Sequence, residues 1–213
     1  MSIKKGFLYM KKKLSLRKKR SLETKKTLYA NSIKLFNEKG YDNVTVDEIV
    51  GVSGFAKGTF YTHFSSKDEI IKNRIKELDD FYTNIFRYIN KKNSPEKKMI
   101  IFVQELYKQI EYKIGLDFQK ISYQNLIGIN SVNNEVFQIN EDRSLYKIIY
   151  QIIQEGQKKG EFTKDLDYRE IGMLIIRNIR GTVFEWCIYG EKMNLRKEGM
   201  IFLNLFLDSI RTK

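Results

Sequence analysis

This 213-residue chain has one cysteine, one histidine, one proline and no long apolar run. Each shortage removes a class of protein. A lone Cys187 forms no intramolecular disulfide, which fits a reducing compartment. Gly6 to Met10 is the longest apolar stretch near the N-terminus, too short for a secretory core. Nothing approaches the roughly 18 apolar residues of a membrane span. The expected location is cytoplasmic, without a membrane partner. The single His63 has no Cys, Asp or second His at metal or triad spacing. Neither a metal site, a cofactor nor a catalytic site is expected, and the chain is read as a non-enzyme. With one proline and few Gly/Ser stretches, helices run uninterrupted, and the apolar spacing is helical throughout, so the fold class is all-α.

Positive charge is in excess, with 39 Lys and Arg against 26 Asp and Glu, a net charge of +13. The excess is local. Residues 1–20 carry nine bases and no acid, residues 21–67 six bases and five acids, and residues 68–213 24 bases and 21 acids. The basicity is therefore a tail suited to phosphate contacts, with a solvated extension as the alternative reading. Three segments are expected: the tail at 1–20, a small helical domain at 21–67 and a larger one at 68–213.

A first helix is predicted from about Leu22 to Lys39, with Leu28, Ser32, Leu35 and Phe36 on one face and Gly40 ending it. Thr45-Val46-Asp47-Glu48 is a capping box that opens a second helix, with Ile49 and Val52 on its inner side. Gly54 allows a tight turn into a short third helix, Lys57 to Phe64. Ser66-Lys67-Asp68-Glu69 is a second capping box, opening a long helix to about Ile89. Two helices joined by a glycine turn, the second with an exposed polar and basic face, fit the DNA major groove.

Further on, Ser94-Pro95-Glu96 is a helix start, with Phe102, Val103, Leu106, Tyr107 and Ile110 as the buried stripe. Residues 115–135 read as a helix followed by a loop. Leu145, Ile148, Ile149, Ile152 and Ile153 mark the next helix, closed by Gly160. Asp167 to Glu170 cap another, with Ile171, Leu174, Ile175, Asn178, Thr182 and Trp186 on one face. A last helix follows Asn194. Its segment MIFLNLFL, Met200 to Leu207, is apolar nearly all round and predicts burial on every side, in part by a partner subunit.

From about Lys26 to Ile71 the chain resembles the N-terminal domain of the TetR (tetracycline repressor) family. The resemblance rests on Leu35-Phe36-Asn37-Glu38-Lys39-Gly40-Tyr41, Thr45-Val46-Asp47-Glu48-Ile49, Lys57-Gly58-Thr59-Phe60-Tyr61, His63-Phe64 and Ser66-Lys67-Asp68-Glu69, in that order and spacing. It implies an N-terminal helix-turn-helix domain, a C-terminal helical effector-binding and dimerisation domain, and a homodimer whose last two helices pair with those of its partner. It further implies a double-stranded DNA operator and a small-molecule effector that releases it, that is, a repressor. Two positions depart from the family pattern. Ala56 stands where a capping Ser is usual, a loss of about 0.5–2 kcal/mol. Asn31 stands where a small alanine is usual.

On the third helix, Lys57 is suited to guanine O6 and N7, Thr59 to a thymine methyl or a phosphate, and Gly58 to close backbone approach. Tyr61 and His63 are candidate phosphate donors. Thr45 and Lys67, at helix N-termini, are candidate phosphate contacts as well. For each, an ordinary capping or solvated role is the alternative. Phe60 and Phe64 are read as core. In the larger domain the aromatics Tyr82, Phe86, Phe102, Tyr107, Tyr112, Phe118, Tyr123, Phe137 and Trp186 supply candidates for a largely apolar effector pocket, with Phe86, Phe102, Tyr107, Tyr123 and Trp186 chosen. Glu105, Glu111, Asp117 and Glu185 are candidate counter-charges for a cationic ligand. Ile175, Thr182, Leu203, Phe206 and Leu207 are the candidate dimer interface. The competing readings are a non-specific architectural DNA binder, favoured by the tail, and an activator of the same fold. A nuclease lacks its metal cluster.

Overall fold

The computed structural model describes residues 16–89, 93–127 and 140–212, with backbone alone for 125–127. Most of the basic tail and Phe137 lie outside the described residues. The elements in order are α1 (Leu16–Lys39), α2 (Val46–Ser53), α3 (Lys57–His63), α4 (Lys67–Ile89), α5 (Pro95–Gln109), a π-helical turn (Ile110–Ile114), α6 (Leu116–Ile127), α7 (Ser144–Lys159), α8 (Tyr168–Tyr189) and α9 (Leu195–Ile210). Among the described residues the only extended pairing is an isolated antiparallel bridge between Phe162 and Arg211. The chain divides into two compact units between Ile70 and Ile71, one turn into α4.

In the first unit, α1 begins at Leu16, earlier than the expected Leu22. Leu-Arg-Lys-Lys-Arg are all good helix formers, so the helix runs on into the tail. Leu28, Phe36, Ile49, Phe60, Phe64 and Ile70 form the core. The Thr45 capping box is present with both reciprocal bonds, and Gly54 adopts φ +70°, a conformation that only glycine takes without strain. One expectation fails. Val52 is exposed and Val50 is buried. The inner face of α2 is centred between Ile49 and Val50, and the 100° step per residue turns Val52 outward. Asn31 has a partner: its Nδ2 donates to Ser53 Oγ at 3.0 Å, tying α1 to the end of α2.

In the second unit, α5 packs against α7 and α9, and α8 against α6, α7 and α9. The stripes on α5 and α7 are buried as expected. Gly199 lets α9 close on α5, because a Cβ there would stand 2.3 Å from the Tyr107 ring. One expectation fails. Leu174 points outward while its neighbour Ile175 is buried. On α9, Leu203 and Leu207 face the chain's own core, while Ile201, Phe202 and Leu205 are exposed in a single chain, on the side for which a partner subunit is expected.

Candidate functional site

The helix-turn-helix is built by short-range polar contacts. Glu48 accepts from the Thr45 backbone N–H at 2.8 Å and from Lys39 Nζ at 2.7 Å. The Lys39 ammonium, with the Thr45 backbone and hydroxyl behind it, draws the Glu48 carboxyl down to about 2. The Thr45 hydroxyl is held in this box, accepting from Glu48 N–H at 3.2 Å. Ala56 caps α3 without a side-chain bond, as its lack of a hydroxyl requires.

Along α3, Lys57, Gly58, Tyr61 and Thr62 are exposed, while Thr59 and His63 are half-buried on its flank. Spacing of i, i+1, i+4 and i+5 makes the first four one outward face. Lys57 Nζ is held by Asp47 Oδ2 at 2.8 Å, an exposed pair that competes weakly with a ligand. Nothing lies within 4 Å of a Cβ built on Gly58, so that face is open. Thr62 was not singled out in the sequence. Its signal is its place one turn beyond Gly58, whose carbonyl its hydroxyl meets at 2.9 Å.

Lys67 has a different role from the expected phosphate contact. Its ammonium donates to the carbonyls of Tyr41 at 2.6 Å and Val44 at 3.1 Å, and lies 4.4 Å from the centre of the Tyr41 ring. A lysine on the first turn of α4 thus closes the α1–α2 loop. Its neighbour Asp68 accepts from the Tyr41 hydroxyl, and burial together with that bond pushes Tyr41 far above the usual phenol range. The second capping box is shifted by one residue on its return side: Ser66 Oγ accepts from Glu69 N–H at 3.3 Å, while the Glu69 carboxylate takes the N–H of Ser65.

The second unit holds a cavity of about 80 Å³. Ile75, Leu78 and Tyr82 of α4, Leu106 and Ile110, and Ile179 and Val183 of α8 form its apolar wall. Phe118, Gln119, Ser122 and Tyr123 of α6 close one side, and Arg143 and Arg180 supply its charge. Of the five aromatics chosen in the sequence, Tyr123 lines the cavity. Phe86, Phe102, Tyr107 and Trp186 are buried but absent from its wall. Tyr82 and Phe118, from the wider set, do line it. The candidate acidic counter-charges are not in the wall either: Glu105 pairs with Lys108 and Glu111 with Arg196. The charge in the cavity is positive, the opposite of what a cationic ligand needs. Burial pushes the Cys187 thiol up to about 11, which leaves it unreactive at neutral pH.

Four of the candidate interface residues are already spent inside the chain: Ile175, Thr182, Leu203 and Leu207 are buried, and Phe206 is half-buried, stacked on Phe202. Their amphipathic helices turn these side chains to the chain's own core. Among the described residues no helix is long and apolar enough to cross a membrane.

Comparison with known proteins agrees with this architecture. Residues 28–73 match the family described as bacterial regulatory proteins, tetR family, and residues 72–209 match the YsiA-like protein, C-terminal region. The fatty acid metabolism regulator protein of Bacillus subtilis is 23% identical over 185 residues, covering 85% of this chain and 93% of that protein. The biofilm operon negative transcriptional regulator IcaR of Staphylococcus aureus is 26% identical over 182 residues, covering 83% and 95%. The crystal structure of FadR from Bacillus subtilis in complex with stearoyl-CoA aligns with a TM-score of 0.69 at 24% identity, covering 87% of this chain and 99% of that one. The chain belongs to the TetR family of DNA-binding transcriptional regulators, with a C-terminal region of the YsiA-like type.

Proposed function

We propose that the chain is a homodimeric repressor that holds a palindromic operator with its two α3 helices and leaves it when an amphipathic small molecule enters the cavity of the second unit. The observation that carries this reading is the open face of α3, where Lys57, Gly58, Tyr61 and Thr62 stand together at the end of a rigid glycine turn. Thr59 and His63 flank it and reach the backbone side of a groove. Thr45 serves by orienting α2, whose free N–H groups point to phosphate.

Dimerisation through α8 and α9 is supported by apolar side chains left uncovered in one chain: Leu174 and Ile188 on α8, Ile201 and Leu205 on α9, the last two 48% and 66% exposed. Gly181 lies midway between the α8 pair, about two turns from each, with nothing among the described residues within 4 Å of a built Cβ. A mid-helix glycine costs about 0.5–1 kcal/mol relative to alanine. Among the described residues no contact requires it, whereas a partner helix at close range does.

The effector reading rests on the apolar wall and two guanidiniums, which suit a hydrocarbon with an anionic group. A cavity of about 80 Å³ holds roughly five water-sized groups, so a longer ligand must part the wall. Such a ligand prefers the opened conformation and shifts the population away from the one that fits the operator. Selection from a random double-stranded DNA pool at physiological salt tests the reading. A palindromic consensus with half-sites about 34–36 Å apart supports it. Salt-sensitive binding to every sequence would replace it with the architectural reading.

A further inference from the structure

The cavity wall contains an ion pair at an unexpected place. Arg143 occupies the N-cap position of α7, where Ser, Thr, Asp or Asn normally satisfies the free N–H groups, and it makes no side-chain cap bond. Its guanidinium instead grips Asp79 of α4, Nε to Oδ2 at 3.1 Å and a terminal nitrogen to Oδ1 at 3.1 Å. The pair is largely buried, with 9% of the Arg143 side chain and 17% of the Asp79 side chain exposed. Arg143 lines the cavity; Asp79 does not. One turn along α4, Thr83 donates to Ser144 Oγ at 3.1 Å, a second link to the same helix start.

We propose that Arg143 is the residue that reads an anionic group on the ligand, and that it does so by exchanging Asp79 for that group. The inference rests on the cavity being the effector site. A guanidinium in a low-dielectric wall favours whichever carboxylate or phosphate fits its fork, and Asp79 already fits it. An anion carried into the cavity by its hydrocarbon competes for the same fork. Arg180, on the same wall and in contact with the Tyr146 hydroxyl and ring, adds a second positive charge beside the fork. When the exchange occurs, Asp79 loses the Arg143 fork, and of the two described links between α4 and the start of α7 the neutral Thr83–Ser144 contact is the one left. Because Ile75, Leu78 and Tyr82 of the same helix form the wall, loosening α4 is also what admits the hydrocarbon. At its other end α4 carries Lys67, whose ammonium closes the α1–α2 loop. The exchange therefore ties anion recognition to the helix shared by both units.

The test uses the full chain, DNA chosen by the pool selection, and three probes with one hydrocarbon: decanoyl-CoA, decanoate and decanol. Calorimetry reads probe affinity and fluorescence anisotropy reads DNA affinity. The wild type is expected to bind at least one anionic probe tenfold or more tighter than decanol, and which of the two does so identifies the anion's source. Arg143→Gln is expected to abolish that preference and, because it too breaks the pair with Asp79, to bind decanol no more weakly than the wild type does and to bind DNA more weakly with no probe present. Asp79→Asn, which removes the competitor at constant shape, is expected to tighten the anionic probe severalfold and to weaken DNA binding with no probe present. If Arg143→Gln unfolds, Arg143→Lys, which keeps the charge without the fork, is expected to reduce the preference. Probe binding with no preference for an anion, or a preference that survives Arg143→Gln, overturns the exchange and leaves the effector reading standing. No binding of any probe overturns both. DNA and probe affinities unmoved by Asp79→Asn overturn the exchange as well.

Discussion

Lys98 lies with its ammonium 2.6 and 2.8 Å from the two carboxylate oxygens of Glu155, joining α5 to α7 inside the second unit. Lys98 is 3% exposed, so this is a cation out of water with one carboxylate as its acid partner among the described contacts. Burial pushes the Glu155 carboxyl up, but bonds from Lys159 and Lys98 outweigh it and hold it below the ordinary value.

Removing the acid is therefore predicted to be worse than removing the base. Glu155→Ala strands a buried ammonium and is expected to cost about 3 kcal/mol, the lower end for breaking such a pair. Lys98→Met leaves Glu155 partly exposed and still paired with Lys159 at 2.7 Å, and is expected to cost much less. Urea unfolding of the two variants decides this; equal losses would mean that the pair is held by packing rather than by charge.

Lys57 and Lys67 are both lysines at helix starts, and they are predicted to fail differently. Lys57 is exposed, whereas Lys67 is half-buried with its ammonium on loop carbonyls. Lys57→Ala is expected to leave the melting temperature nearly unchanged, weaken binding to the selected DNA by on the order of tenfold and relax preference at one base position. Lys67→Met leaves loop carbonyls without their donor, and is expected to destabilise the first unit by about 1–3 kcal/mol. A normal melting curve for Lys67→Met, with a salt slope reduced by about one, would restore the phosphate role.

The Lys39–Glu48–Thr45 cluster predicts an acid-side weakness of the helix-turn-helix. Glu48 is drawn down to about 2 by Lys39 and Thr45. A carboxyl depressed on folding contributes stability that is complete above its unfolded value, near 4.5, and is lost as pH falls from there toward about 2. Glu48→Gln is expected to be less stable at neutral pH and to show a shallower loss across that window. Identical slopes for variant and wild type between pH 5 and pH 2, in acid unfolding followed by circular dichroism, would remove Glu48 from the account.

Much of this was legible in the sequence where the signal is local. The caps at Thr45, Ser94 and Asp167 and the glycines at 40, 54 and 160 fix helix ends through contacts within a few residues, and these helix starts and stops fall where those signals predict. What was not legible is which of two adjacent apolar side chains turns inward. Leu174 and Ile175, Val50 and Val52, Phe202 and Leu203 differ by one or two helical steps, and neighbouring helices settle the choice. The cavity was least legible. Its charged residues Arg143 and Arg180 and its polar side chains from α6 converge from segments far apart in sequence. Aromatic content alone pointed to core positions such as Phe102 and Trp186.

Gly181 tests the proposed subunit interface without touching the core. A Cβ there meets nothing within 4 Å among the described residues. Gly181→Leu is therefore expected to keep the helical content and fold of the chain while shifting sedimentation toward a monomer. DNA affinity should fall with it, since two half-sites are then no longer held together. A variant that remains a dimer at micromolar concentration would place the interface elsewhere than on α8.

Gly58→Ala separates folding from recognition within a single methyl group. Gly58 is exposed on α3, and a Cβ there has open space among the described residues. Alanine is favoured over glycine by about 0.5–1 kcal/mol in a helix interior and by less in a first turn, where Gly58 lies, so the free protein is expected to be as stable as the wild type or slightly more so. If the α3 backbone approaches DNA closely at this point, the added methyl stands between them and binding to the selected sequence weakens, with the loss concentrated in the dissociation rate. Thermal unfolding and stopped-flow dissociation measured on the same preparation give both numbers. A more stable variant with unchanged dissociation would show that Gly58 does not face the groove, and the outward face of α3 would then have to be centred on Tyr61 and Thr62.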